Sequence, residues 1–309
     1  MTDDGVDPAV DGPTSHAGAA AVDGARIDVA LVRALLAAQF PAWADLPLRP
    51  VEPGGNDHRT FRLGPALSVR LPSASGYVPQ VEKEQAWLPR LAASAPLPIP
   101  AVLGRGRPSA RFPAPWTVCG WIEGEPASTA AVDDVERFAA DLAHFLVGLR
   151  DAPTAGAPAP GPHSAFRGGP LRHWDGEMGD LLERVHGPER DGAAGIWRDA
   201  LDAEEHRAPA WFHGDVAAGN LLVRDGRLAA VIDFGCAGVG DTACDTAFAW
   251  TQLEGGARAL YRRELALDDA AWARGRGWAI WKALILIGNR PPAQVALGQR
   301  VLSTLLAER

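Results

Sequence analysis

The chain is 309 residues long, 47% apolar and 22% charged, with a formal net charge of −8. That length and apolar fraction suffice for one large domain or two lobes, each with a core of its own. The acidic balance excludes a protein built to neutralise a phosphate backbone, so no nucleic-acid partner is expected. No apolar run is long enough to span a membrane, and Cys119, Cys236 and Cys244 lack paired or metal-ligand spacing, which fits a reducing cytoplasm without a disulfide framework.

Residues 1–27 are acidic and rich in Gly, Pro and Ala. They are expected to form a disordered tail, not a signal peptide. Regular structure is expected from Asp28, where IDVALVRALLAAQF repeats its apolar residues at helical spacing. The stretch LRPVEPGGNDHRTFRLGPALSVRLP alternates short β-like runs with turn residues and predicts a hairpin. VPQVEKEQAWLPRLAA predicts a helix, and the Pro-punctuated segment as far as Trp121 predicts two more strands. From VDDVERFAADLAHFLVGLR onward the pattern is mainly helical, interrupted by DAPTAGAPAPGPHSAFRGGP, which is expected to be an exposed loop.

The exception to the helical pattern is WFHGDVAAGNLLV with the following LAAVIDFG. Asp225-Gly226 between NLLV and LAAVID predicts a tight hairpin. A hairpin brings its ends together, so Asn220 and Asp233 are expected to be neighbours, with Asp215 projecting into the same space. Two oxygen-bearing side chains with a third nearby suit a hard cation such as Mg²⁺, which is held by one or two side chains plus substrate phosphates. A carboxylate left free of the metal can orient a substrate hydroxyl and take its proton. Singly, Asp215 reads equally as a turn residue, Asn220 as a cap and Asp233-Phe-Gly as a β-turn. The spacing of the three together singles them out.

HGDVAAGN resembles the catalytic loop of the aminoglycoside phosphotransferase family, and IDFG and GVGDTACDTA resemble the segments that follow it. The resemblance runs over roughly residues 48–290. It implies an α+β, bilobal, protein-kinase-like fold: a small N-terminal lobe over 28–120, with an antiparallel sheet and one helix, and a larger, mainly helical lobe over 121–309. It further implies that Asp215 is the catalytic base and that Asn220 and Asp233 hold Mg²⁺. His213 would be scaffolding, and Asp245 would anchor the loop backbone, although an N-cap for the next helix reads as well. On the nucleotide side, Gly54 and Gly55 would lie in the phosphate-covering turn, where an ordinary hairpin turn is the plain alternative. Arg70 would stand where the family has lysine and pair with Glu84, with Glu82 as the competing partner; arginine keeps the charge but not the shape of an ammonium. The backbone from Val118 through Cys119 to Trp121 would meet the adenine.

The expected activity is therefore transfer of the γ-phosphoryl group of ATP or GTP to a hydroxyl of a small molecule. An antibiotic, aminoglycoside or macrolide, is favoured over a metabolic alcohol such as choline or homoserine. A catalytically inactive kinase-like binding module is the reading from another class; monomer and dimer both remain open. A protein kinase is disfavoured, because almost no activation loop separates Asp233 from Asp245. Trp272, Trp278 and Trp281 read more readily as core than as a ligand platform. Glu254, Asp268 and Asp269 read more readily as solvated helix ends than as receivers of ammonium groups.

Overall fold

The computed structural model describes residues 22–52, 54–204, 207–288 and 290–309. The expected tail lies outside them as far as residue 21. Residues 22–27, expected to belong to the tail, pack on the small lobe instead: the Val22 N–H donates to Ser75 Oγ (3.0 Å), Asp23 is bridged to Ala74 and Ile27 is buried.

Helix α1 (Val29–Gln39) starts where the Asp28 carboxylate accepts the Leu31 N–H at 2.8 Å, an N-cap that satisfies a free helical amide. Its buried face is Val32, Leu35 and Leu36. Strands β1 (Leu48–Pro50), β2 (His58–Leu63) and β3 (Leu67–Pro72) follow, then helix α2 (Val78–Leu91), β4 (Val102–Gly106) and β5 (Trp116–Gly120). All pairs are antiparallel, in the order β1-β2-β3-β5-β4. The predicted hairpin is thus the β2–β3 pair, with β1 added at the edge. Phe61, Leu63, Val69, Leu71, Trp116 and Val118 point to one face and form a core with α1, as the period of two along a strand requires.

The larger lobe contains β6 (Glu125–Pro126), α3 (Val135–Arg150), α4 (Asp175–Leu182), α5 (Gly187–Asp202), β7 (Ala210–Phe212), β8 (Leu221–Arg224), β9 (Arg227–Val231) and β10 (Gly238–Gly240). Helices α6 (Phe248–Thr251), α7 (Gly255–Glu264), α8 (Asp269–Ile287) and α9 (Pro292–Ala307) close it. Its core collects Phe138, Leu142, Phe145, Trp211, Phe212, Phe248, Trp278 and Trp281, among others, and reaches into the small lobe through Leu88, Leu91 and Ile99. No helix among the described residues is long and apolar enough to cross a membrane.

The expected exposure of the Pro/Gly/Ala loop holds for residues 153–156 and is corrected where the segment packs. Residues 152–170 are docked on the core: Ala152, Ser164, Gly168 and Gly169 are buried. The loop's carbonyls are taken up by neighbours, with Trp211 Nε1 donating to Pro153 (3.0 Å), Val239 N–H to Pro158 (2.9 Å) and Asp241 N–H to Gly168 (2.8 Å). Composition marks the loop as irregular; satisfied backbone groups are what allow an irregular segment to be buried.

Candidate active site

The hairpin forms as the Asp-Gly pair dictates. Asp225 and Gly226 have φ of 52° and 69°, two successive left-handed residues that match the twist of the strands they join. At the open end the Ile232 N–H donates to the Asn220 carbonyl at 2.9 Å, so Asn220 and Asp233 are adjacent. Asn220 Nδ2 donates to the carbonyl of Asp215 and to its Oδ2, both at 3.0 Å. Asp215, Asn220 and Asp233 therefore converge. Asp233 has φ 66° and ψ 73°, a conformation costly for a non-glycine residue and typical of positions where geometry outranks backbone comfort.

The loop carrying Asp215 is fastened from behind. Buried Asp245 accepts the His213 N–H at 2.8 Å and the Gly214 N–H at 2.7 Å. Burial pushes the Asp245 carboxyl up, and the nearby His213 and the two amide bonds oppose that shift. Asp245 thus anchors the loop backbone. The cap belongs to Asp241, whose carboxylate accepts the Ala243 N–H at 3.1 Å; the N-cap reading of Asp245 is corrected. Buried His213 packs against Phe234, with ring centroids 4.8 Å apart, and its Nε2 lies 3.0 Å from the Ile232 carbonyl. Gly214 has φ +83°, and a Cβ there would lie 2.5 Å from the Cys236 carbonyl, so only glycine fits.

From the small lobe, Arg70 on β3 bridges both sides. Its Nη1 contacts the Glu84 carboxylate at 3.1 Å and its Nη2 the Asp233 Oδ1 at 3.2 Å. Glu84, not Glu82, is the helix partner, because Glu84 is on the buried face of α2. Burial opposes the charge of Arg70, but Glu84 and Asp233 outweigh it and hold the guanidinium above its usual range. His58 Nδ1 lies 3.3 Å from Arg70 Nη2. Burial first, then the Arg70 charge, pushes the imidazole well below its ordinary value, so it faces Arg70 neutral.

The remaining expected site residues lie as follows. Gly54 and Gly55 are exposed and have no positive φ, and a Cβ on either would meet only ordinary contacts; nothing crowds the backbone there. Val118 and Cys119 lie in the sheet between β3 and β4, and the amides of Gly120 and Trp121 donate to Ala101 (2.9 Å) and Ala66 (2.8 Å). Those two amides are thereby taken up within the small lobe. Asp268 caps α8 and pairs with Arg207, Asp269 pairs with Arg262, and Glu254 sits exposed at the start of α7. These acids are helix-end residues.

Two neighbours of the site escaped the sequence reading. Asp57, at the tip of the turn before β2, has its carboxyl raised to about 6, by burial first and then by the Asp233 charge, with Asp215 adding to it and Gln80 and Arg70 opposing. Lys83, beside Glu84 on α2, donates to the carbonyls of Gly235 and Ala237 (2.8 Å to the latter). Burial lowers its ammonium to about 8. Helix α2 therefore holds the Asp233 segment through Glu84 and Arg70 on one side and through Lys83 on the other. The signal for Lys83 was its rarity, since the chain has only two lysines.

The family model described as "Phosphotransferase enzyme family" (APH) matches residues 48–278. The GDP complex of wild-type aminoglycoside 2'-phosphotransferase-IIIa has a TM-score of 0.72 at 16% identity, over 91% of this chain and 99% of its own. The GDP and kanamycin complex of APH(2")-IIia has a TM-score of 0.71 at 17% identity, over 90% and 99%. The apoenzyme of the macrolide 2'-phosphotransferase MphH from Brachybacterium faecium has a TM-score of 0.60 at 18% identity, over 90% and 97%. At such identities the likeness is one of fold. No curated protein matches the sequence.

Proposed function

We propose, from the premise that this chain belongs to the phosphotransferase enzyme family, that it transfers the γ-phosphoryl group of ATP or GTP to a hydroxyl of a small molecule in a Mg²⁺-dependent reaction. The observation that carries this reading is the convergence of Asp215, Asn220 and Asp233 at one hairpin mouth, with Arg70 and Glu84 brought to it from the other lobe.

A magnesium ion fits the donors present. Burial, with the Asp233 and then the Asp215 charge adding to it, holds the Asp57 carboxyl at about 6, and a hard cation relieves the charge part of that shift. Among the described residues no three His, Cys, Asp or Glu side chains form a metal cluster; a cation held by two side chains and substrate phosphates needs none. Asn220, whose Nδ2 is spent on Asp215, has its Oδ1 to offer, and Asp233 has a carboxylate. Those two would hold the ion, which when bound would neutralise phosphate oxygens.

The rest is performed by the chain. Asp215 orients the acceptor hydroxyl and takes its proton as the new O–P bond forms and the bond to the departing nucleoside diphosphate breaks. Asn220 fixes one oxygen of that carboxylate and leaves the other for the proton. Arg70 exchanges its Nη2 contact with Asp233 for phosphate oxygens while Glu84 holds the guanidinium through Nη1. Positioning and charge neutralisation supply most of the catalysis. Aminoglycosides and macrolides head the acceptor panel because the similar structures carry those names, followed by choline and homoserine.

The test is nucleoside diphosphate release with Mg²⁺ and ATP or GTP over that panel, beside Asp215→Asn. The variant is expected to lose about 10²–10⁴ in kcat while its nucleotide affinity holds. A variant that still turns over at the wild-type rate removes Asp215 from the mechanism. The Arg70–Asp233 pair also favours a second reading, a binding module in which that pair never opens; Mg·ATP protection against heat with no turnover of any acceptor would select it.

A further inference from the structure

Arg167 belongs to the docked loop 152–170 and is not used by the reaction above. Its guanidinium carbon lies 4.3 Å from the ring centroid of Trp281, 5.6 Å from Trp278 and 5.9 Å from Trp174. The rings pack together, Trp174 at 4.9 Å and Trp278 at 5.8 Å from Trp281. Among the described residues the Arg167 side chain has no ion pair and no hydrogen bond. Its Nη1 is buried without an acceptor, and so are the indole N–H groups of Trp174 and Trp278. All three unanswered groups are donors.

A second cation completes the cluster. Lys282 follows Trp281 on α8. Burial holds its ammonium below the usual value; the Asp215 charge opposes that shift and the Arg167 charge adds to it. Cys236 likewise feels both Asp215 and Arg167. Lys282 and Cys236 therefore each lie within electrostatic reach of both Asp215 and Arg167. Asp241 is paired with Arg274 (2.7 Å), whereas Glu177 and Asp175 accept only from neutral donors, the indole N–H groups of Trp281 and Trp197 (2.9 Å each).

Buried donors without an acceptor are costly unless a ligand answers them. The ammonium groups of a polycationic acceptor would bring further donors to this cluster, whereas an anionic acceptor would supply the missing acceptors. We infer that the acceptor is a hydroxylated carboxylate whose anion docks on Arg167 and Lys282 beside Asp215. This rests on the phosphotransfer reading. Arg70, from the opposite lobe, is the cation assigned to the nucleotide phosphates.

The experiment compares matched hydroxyl compounds of different charge, glycerate, glycerol, choline and kanamycin, in Mg·ATP-dependent ADP release by the full chain. Glycerate is expected to be favoured over glycerol in kcat/KM by about tenfold or more, the scale of one charge-assisted contact. Arg167→Gln should erase that preference, Arg167→Lys should restore part of it, and the KM for ATP should stay within about twofold. Lys282→Met is the second variant, with thermal unfolding of each checked first. Equal or better turnover of glycerol, choline or kanamycin overturns the inference. So does a rise in the KM for ATP alone in Arg167→Gln, since the anion would then be the phosphoryl group.

If no compound is turned over, tryptophan fluorescence of the Mg·ADP-bound protein decides. Quenching by glycerate but not glycerol, lost in Arg167→Gln, upholds the anion site and counts against the proposed reaction instead. Quenching without preference for charge, or none, overturns the inference.

Discussion

Two irregular loops reach the candidate site, and they are held by opposite means. Residues 213–220 are fixed within one motif-bearing stretch that ends at Asp245: a hairpin follows immediately, Gly214 permits the close pass at Cys236, and Asp245 accepts two successive amides. Residues 152–170 have no such signature. They are held by distant partners, Trp211 on Pro153 and Asp241 on Gly168, and through Arg167 they reach the tryptophans of α8. A loop can be built into a core either by local chemistry that a motif encodes or by satisfaction of its backbone from elsewhere, and only the first leaves a pattern in the chain.

The largest effect expected from probing this contrast is at the anchor of the first loop. Asp245→Ala leaves the amides of His213 and Gly214 unanswered in the interior. The cost is about 3–5 kcal/mol, since each is a buried bond to a charged acceptor, and the midpoint of thermal unfolding should fall by roughly 10 °C. Asp245→Asn, whose single amide oxygen can accept from only one of the two, should fall between. An unfolding midpoint for Asp245→Ala close to wild type would mean that the loop is not held from behind.

The second loop can be tested within itself. Gly156 and Gly168 both have left-handed φ, +73° and +71°, but a Cβ at Gly156 meets nothing within 4 Å, while at Gly168 it would lie 2.1 Å from the Phe212 ring. Gly156→Ala should cost about 1 kcal/mol, the backbone term alone. Gly168→Ala should cost about 2 kcal/mol more, the price of overpacking. Equal values in denaturant titrations would restore the exposed loop that composition suggests.

What was legible follows the same division. The helix starting at Asp28, the β2–β3 hairpin, the Asp225-Gly226 turn and the grouping of Asp215, Asn220 and Asp233 depend on residues close together in the chain, and Arg70–Glu84 on a spacing within one small lobe. The docking of 152–170 and the placement of Arg167 depend on partners tens of residues away, which no local pattern carries. Val118 and Cys119 read as strand running into loop; that the next two amides, of Gly120 and Trp121, bond to Ala101 just before β4 and to Ala66 between β2 and β3 depends on a sheet order that no local pattern carries. Asp57 looked like a turn residue because its charged neighbours Asp233 and Asp215 are far along the sequence.

That last residue gives the smallest effect and the most direct reading of charge in the site. In the metal-free protein the Asp57 carboxyl is held at about 6, above the ordinary 3.8, by burial and by Asp233. The folded chain binds this proton more tightly than the unfolded one, so the group's contribution to stability is fully present below pH 3.8 and is lost as pH rises to about 6. Asp57→Asn removes that loss. The variant's unfolding midpoint, compared with wild type, should therefore climb between pH 4 and pH 7 by about 2–4 °C and then level off. Mg²⁺ should shrink the difference at pH 7, because a cation on Asp233 and Asn220 removes the repulsion that raises Asp57. A gap that is independent of pH would take Asp57 out of the carboxylate group, and one that ignores Mg²⁺ would count against a metal held at Asp233.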